Sequence, residues 1–146
     1  METSSVETKQ SEGRGLGVFA CKDFQEGELL LCEDPLVLLT VPHTPKTLAK
    51  FIGQLRKEVK RLEEDEQEQF FSLHNARPEL CTKARDDLMM VSIYQANSVQ
   101  LREFDKLRGK DLGSAVFNEI SRINHSCCPN SVLSYNLETK QCEVSR

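Results

Sequence analysis

Residues 122–130 hold the densest run of chemically capable side chains in the chain: Arg122, Asn124, His125, Ser126, Cys127, Cys128 and Asn130, interrupted by Pro129. Proline and two asparagines rule out a regular strand. The run is also too polar for a simple core turn. Residue types alone leave two readings open. Asn, Ser and Pro are ordinary turn formers, and His125 could be a histidine satisfied in the core. A metal centre would instead draw on His125, Cys127, Cys128 and Cys142. Adjacent cysteines chelate one ion poorly, and a second Cys/His pair is lacking, so no metal is expected. The six cysteines, at 21, 32, 81, 127, 128 and 142, form no C-x-x-C pair. In a reducing compartment most of them, Cys127 included, read as buried thiols.

Three other places could carry chemistry. Residues 13–17 form a glycine-rich turn, which allows close approach of backbone to a ligand or is simply a tight turn. It does not open a helix in a βαβ unit, so a dinucleotide fold is not indicated. Asn97 sits where a helix cap would fall. Residues 63–68 are an acidic run that could dock a basic tail, although such a run is more often a solvated face.

The elements that must position these groups divide into three zones. Residues 18–24, 28–33 and 36–41 are short apolar or alternating runs separated by turn residues, and predict a meander of three strands. Residues 44–112 read as helical. Thr44-Pro45 is a start signal, and Leu48, Phe51, Ile52, Leu55, Val59 and Leu62 make one apolar stripe. Pro78 ends the segment that follows. Further helices are predicted over 82–96 and 98–107. Residues 132–137 and 141–145 predict a β-hairpin. The sheet then ends on an open edge, which suggests an incomplete fold.

At 146 residues the chain is one domain. Hydrophobic residues make up 38% and charged residues 29%, a soluble globular balance. The net charge of −4 argues against direct nucleic-acid binding. No apolar run reaches membrane-span length and no signal peptide is evident. Residence in the cytoplasm or nucleus is the expectation.

Asn124-His125-Ser126-Cys127-Cys128-Pro129-Asn130 resembles the N-H-S-C-x-P-N signature of SET domains at every specified position. Residues 13–20 resemble the G-x-G-hydrophobic opening of the same domain, and Phe24 to Glu28 its continuation. Asn97-Ser98 lies 27 residues ahead of Asn124 and resembles the Asn-Ser pair that closes the insert in the SET-and-MYND group. Phe71-Ser72-Leu73-His74-Asn75 is similar to the F-x-x-L-H-N element of that insert. Residues 41–48 contain no cysteine, so the likeness is to a branch without the zinc finger.

The resemblance implies an α+β fold of short curled sheets with a helical insert at about 44–112, incomplete at the C-terminus. A disordered tail (1–12) would precede strands (13–43), insert (44–112), and motif with hairpin (113–146). It implies an S-adenosylmethionine-dependent protein lysine methyltransferase. Arg14, Gly15 and Leu16 would meet the methionine part of the cofactor. Asn97 and Asn124 would take its amino and carboxylate groups, and the His125 backbone its adenine. The partner would be a protein carrying the target lysine, a histone tail among the candidates. Family enzymes use a tyrosine in a segment after the hairpin. Tyr94 and Tyr135 do not match it, so no catalytic residue is expected within the chain, and little or no activity. A non-catalytic SET-like interaction module and a truncated product are the alternatives.

Overall fold

The computed structural model describes residues 5–81, 83, 85–102 and 111–146. Among these residues there are eight strands, β1 (Val6–Ser11), β2 (Gly15–Ala20), β3 (Leu29–Glu33), β4 (Val37–Leu39), β5 (Val99–Arg102), β6 (Asp111–Val116), β7 (Val132–Tyr135) and β8 (Cys142–Ser145), and three α-helices. The helices are α1 (Leu48–Arg61), α2 (Glu64–Phe71) and α3 (Asp87–Asn97). Every strand pairing is antiparallel. The sheets are small: β1-β2, β3-β8-β7 and β4-β6-β5. This is the α+β arrangement of short sheets that the sequence implied.

The helical stripe is realised in α1, where Phe51, Leu55 and Val59 are buried. They pack with Phe70, Ile93, Tyr94 and the β4 residues Val37 and Leu39 into one core. A second core gathers Leu101, Ala115, Phe117, Ile120, Cys142 and Val144. Strand alternation lets β6 serve both: Val116 faces the helices, while Ala115 faces the other core along with Phe117, just beyond the strand.

The acidic run has a local explanation. Glu63 caps α2, and the carboxylates of Glu63 and Glu66 bond reciprocally to each other's backbone N–H groups. Such a capping box, with acids in the first turn, complements the positive end of the helix dipole. Glu68 is ion-paired to Arg85.

Several expectations need correction. Val6–Ser11, placed in a disordered tail, forms β1 and pairs with β2 along its whole length. Its side chains are mostly exposed, so the pairing rests on backbone hydrogen bonds that leave no hydrophobic pattern. The strand expected at 18–24 accordingly starts earlier, at Gly15. The three early strands are not a meander: β2, β3 and β4 belong to three different sheets. Their partners lie outside the early region or far along the chain, which local periodicity cannot report.

The first helix begins at Leu48, not at Thr44. Thr44 instead closes a turn with Thr47, their hydroxyls 2.7 Å apart. The helix expected from 82 begins at Asp87, because Asp86 caps it by accepting from the Met89 N–H at 2.8 Å; residues 82 and 84 lie outside the described residues. The helix expected over 98–107 is overturned where it is described: Val99–Arg102 is strand β5, paired with β6. Tertiary pairing decides this short segment, and residues 103–110 lie outside the described residues. Among the described residues the last α-helix ends at Asn97. The hairpin is as expected, with Tyr135 opposite Cys142. Its turn is held by Asn136, whose Oδ1 accepts from the Glu138 and Thr139 N–H groups. Of the six thiols only Cys142 is buried, and Cys127 is exposed.

Candidate functional site

The glycine-rich segment is the connection between β1 and β2. The Arg14 N–H donates to the Ser11 carbonyl at 3.0 Å, closing a tight turn. The Asn-His segment follows a 3-10 turn at Ile120–Arg122. More than a hundred residues of sequence separate the two segments, and the fold brings them into contact. The Arg14 guanidinium donates to the His125 carbonyl at 3.3 Å. Asn124 Nδ2 donates to the Leu16 carbonyl at 3.5 Å. A Cβ on Gly17 would lie 2.6 Å from that same Asn124 nitrogen. Glycine at 17 thus leaves the space the Asn124 carboxamide uses.

Beside this junction a cleft of about 670 Å³ opens between β2, β3, β8 and the Asn-His loop. Phe19, Phe24, Leu31 and Ile120 give it apolar walls, and Asn124 and His125 give it a polar one. Lys22, Asp23 and Arg146 add charged groups to the lining, so apolar surface and polar groups face the same space. Neither tyrosine lines the cleft. The Tyr94 hydroxyl is instead buried in the helical core and donates to the Ser114 carbonyl at 2.7 Å. That burial raises its pKa to about 12, against a contact with the Ser114 hydroxyl at 2.8 Å, which lowers it. Tyr135 packs against the second core.

Of the six residues singled out from the sequence, Asn124 and His125 line the cleft. Arg14 and Leu16 touch these two directly, and Gly15 lies between them as the first residue of β2. Asn97 is set apart. It is the last residue of α3 and is buried. Its Nδ2 donates to the Ile93 carbonyl at 2.7 Å and the His74 carbonyl at 2.8 Å. The carboxamide thereby ties the Leu-His-Asn element to α3. Asn75 completes that tie by accepting from the Ser92 hydroxyl at 2.6 Å. Asn97 reaches the cleft loop only through its backbone: the Ser121 hydroxyl donates to the Asn97 carbonyl at 2.8 Å.

His125 is exposed, and its Nε2 lies 3.4 Å from Cys127 Sγ. Arg122 donates to the Asn118 carbonyl and the Ser72 hydroxyl, both at 2.9 Å. Sequence reasoning missed two contributors, Ser121 and Glu33. The Glu33 carboxylate accepts from the N–H groups of Asn118, Glu119 and Ile120 at 2.7 to 3.1 Å. Burial pushes its pKa up, opposed by these three donors. One signal was available. Glu33 falls on the inward face of β3 with Leu31, since their partners Cys142 and Val144 are both buried. A carboxylate at an inward strand position needs a partner.

The family model of the SET domain matches residues 15–145. The chain belongs to the SET-domain family. A search of curated proteins returned no match. SET domains are in general protein lysine methyltransferases that use S-adenosylmethionine and act on protein substrates. The two segments that meet at the cleft are the ones that carry the SET resemblance in the sequence.

Proposed function

We propose that this SET domain binds S-adenosylmethionine at the junction of the β1–β2 turn and the Asn-His loop, in the service of lysine methylation on a protein. The observation that carries the reading is the contact of Asn124 with Leu16 and Gly17 and of Arg14 with His125. The residues present fit such a cofactor. The Asn124 carboxamide offers a donor and an acceptor together, as an amino and a carboxylate group on one ligand require. Gly17 lets that carboxamide and a ligand crowd the β2 backbone. Arg14 fixes the His125 carbonyl and so orients the backbone of the loop. Phe19, Phe24, Leu31 and Ile120 offer apolar surface against which the uncharged parts of such a ligand can pack.

When bound, the cofactor supplies the sulfonium methyl that a lysine amine accepts. The amine must be neutral to attack, whereas a free lysine has a pKa near 10.4. A dry site beside a cation disfavours the ammonium on both counts. The chain's own residues supply no tyrosine hydroxyl to this cleft, which favours binding with little or no turnover. The same observation supports the second reading, a non-catalytic SET module that binds a protein partner. Relation to the SET-and-MYND group is part of the proposal. It is supported by the Leu-His-Asn element and the Asn97-Ser98 pair, which are joined in the structure by the Asn97–His74 bond.

Calorimetric titration of the 146-residue protein with S-adenosylmethionine tests the reading. Micromolar binding that is weakened roughly ten- to hundredfold in Asn124→Ala and also weakened in Arg14→Ala is expected. Absence of binding by the unaltered protein, or binding indifferent to Asn124→Ala, overturns it. A radiolabelled-methyl assay then separates turnover from binding alone.

A further inference from the structure

The cleft loop leaves the fold through a short turn whose backbone is unusually well held. Three consecutive amides, of Asn118, Glu119 and Ile120, converge on one carboxylate. Glu33 Oε1 accepts from Asn118 at 2.7 Å and Glu119 at 3.0 Å, and Oε2 from Glu119 at 3.1 Å and Ile120 at 2.9 Å. Successive amides facing one point form an anion-binding concavity, and here the anion is a side chain of the protein. Glu33 lies in β3, which is hydrogen-bonded to β8, so a sheet strand fixes the turn across 85 residues or more of sequence. From Ile120 the chain bends at once, with the Arg122 N–H on the Glu119 carbonyl at 2.8 Å and the Ile123 N–H on the Ile120 carbonyl at 3.1 Å. Asn124 and His125 come next.

We propose that Glu33 is a positioning residue for the cofactor site, setting the place of Asn124 and His125 by clamping the amides of residues 118–120. The inference rests on the cofactor reading above and adds a residue that touches neither cleft ligand group. A carboxylate suits the task because it is acceptor-only and can take all four contacts. Glutamine would turn its amide NH2, a donor, toward the N–H groups that one of the oxygens now receives. Aspartate keeps the charge and shortens the reach. Ser121 and Arg122 hold the same turn toward Asn97 and Ser72. Loss of Glu33 therefore releases one side of the turn and should tilt it rather than unfold it.

Amide and carboxamide NMR spectra of the whole protein, with cofactor titration, test the proposal. In Glu33→Gln the amides of 118–120 and the Asn124 carboxamide should move together, and the dissociation constant for S-adenosylmethionine should rise about tenfold or more. Glu33→Asp should restore part of both. The double variant Glu33→Gln/Asn124→Ala should bind no worse than Asn124→Ala alone, as expected for groups acting in series.

If the amides of 118–120 shift while the Asn124 carboxamide and the affinity stay put, Glu33 is a structural staple and the proposal is overturned. If the unaltered protein binds no cofactor, the functional reading fails, and the Asn124 carboxamide shift alone decides the role of Glu33. If Glu33→Gln does not fold, acid titration of Glu119→Gln provides the readout. Glu119 is the carboxylate beside Glu33, and the neighbouring thiols of Cys32 and Cys142 have raised pKa values and stay protonated. The Asn124 carboxamide must then follow the titration seen at the amides of 118–120. Independent titration overturns the proposal.

Discussion

Replacing Gly17 with alanine places a methyl carbon 2.6 Å from Asn124 Nδ2, 3.3 Å from Phe19 Cε2 and 3.4 Å from Ser11 Cβ. The first distance is impossible for packed atoms, and the other two are tight. What must yield is the end of a flexible carboxamide, not backbone. Swinging Asn124 away from its staggered position costs about 0.5–1.5 kcal/mol. Removing a glycine from a strand returns about 0.5–1 kcal/mol. Net stability should therefore change by no more than about 1 kcal/mol, read from urea unfolding. Binding should respond differently. A displaced Asn124 loses its hydrogen bonds to a charged ligand group, worth about 1.5–3 kcal/mol. That converts to a roughly ten- to hundredfold weaker S-adenosylmethionine affinity by calorimetry. Asn124→Ala should show a similar loss, and the double variant little more. Unchanged affinity in Gly17→Ala would refute the reasoning. So would a stability loss well above the estimate, since the backbone and not Asn124 would then be what yields.

Other perturbations have opposite profiles. Gly113 has φ +105 and a Cβ there would collide with the Leu39 carbonyl oxygen, so Gly113→Ala should cost about 3 kcal/mol or more by urea unfolding; near-normal stability would disprove the close β4–β6 approach. The folded-state pKa of Tyr94 lies near 12, above its unfolded value. Its contribution is therefore complete below pH about 10 and is lost as pH rises through 12. Thermal melting between these limits should fall more steeply for the unaltered protein than for Tyr94→Phe, and parallel curves would contradict the assignment. Cys142 is buried with a thiol raised to about 11, whereas Cys21, Cys127 and Cys128 are exposed. Alkylation at neutral pH followed by mass spectrometry should label the exposed thiols and spare Cys142; early labelling of Cys142 would contradict its place in the core.

Much of the site was legible in the sequence because its motifs are local. The order of residues around Asn124 and around Gly15 can be recognised without knowing where either lies. The α1 stripe and the 132–145 hairpin were legible for a related reason: a buried face repeats along a helix or strand and leaves its period in the sequence. Asn97 was harder. It was read as a helix cap or a cofactor contact, whereas it is the last residue of α3 and its carboxamide turns to the carbonyls of His74 and Ile93; nothing in a linear pattern says which way an amide points.

The sequence by itself determined the family, the chemistry available to the Asn-His loop, and the faces that the long helix and the hairpin bury. Tertiary structure alone decided which strands pair outside that hairpin, that a polar N-terminal segment becomes β1, that Val99–Arg102 is extended, and that Glu33 grips the turn ahead of Asn124. The division has a physical cause. Burial is a property of each side chain and is written residue by residue. A backbone hydrogen bond takes whatever partner the fold brings within reach, and many of those partners lie tens of residues or more away along the chain.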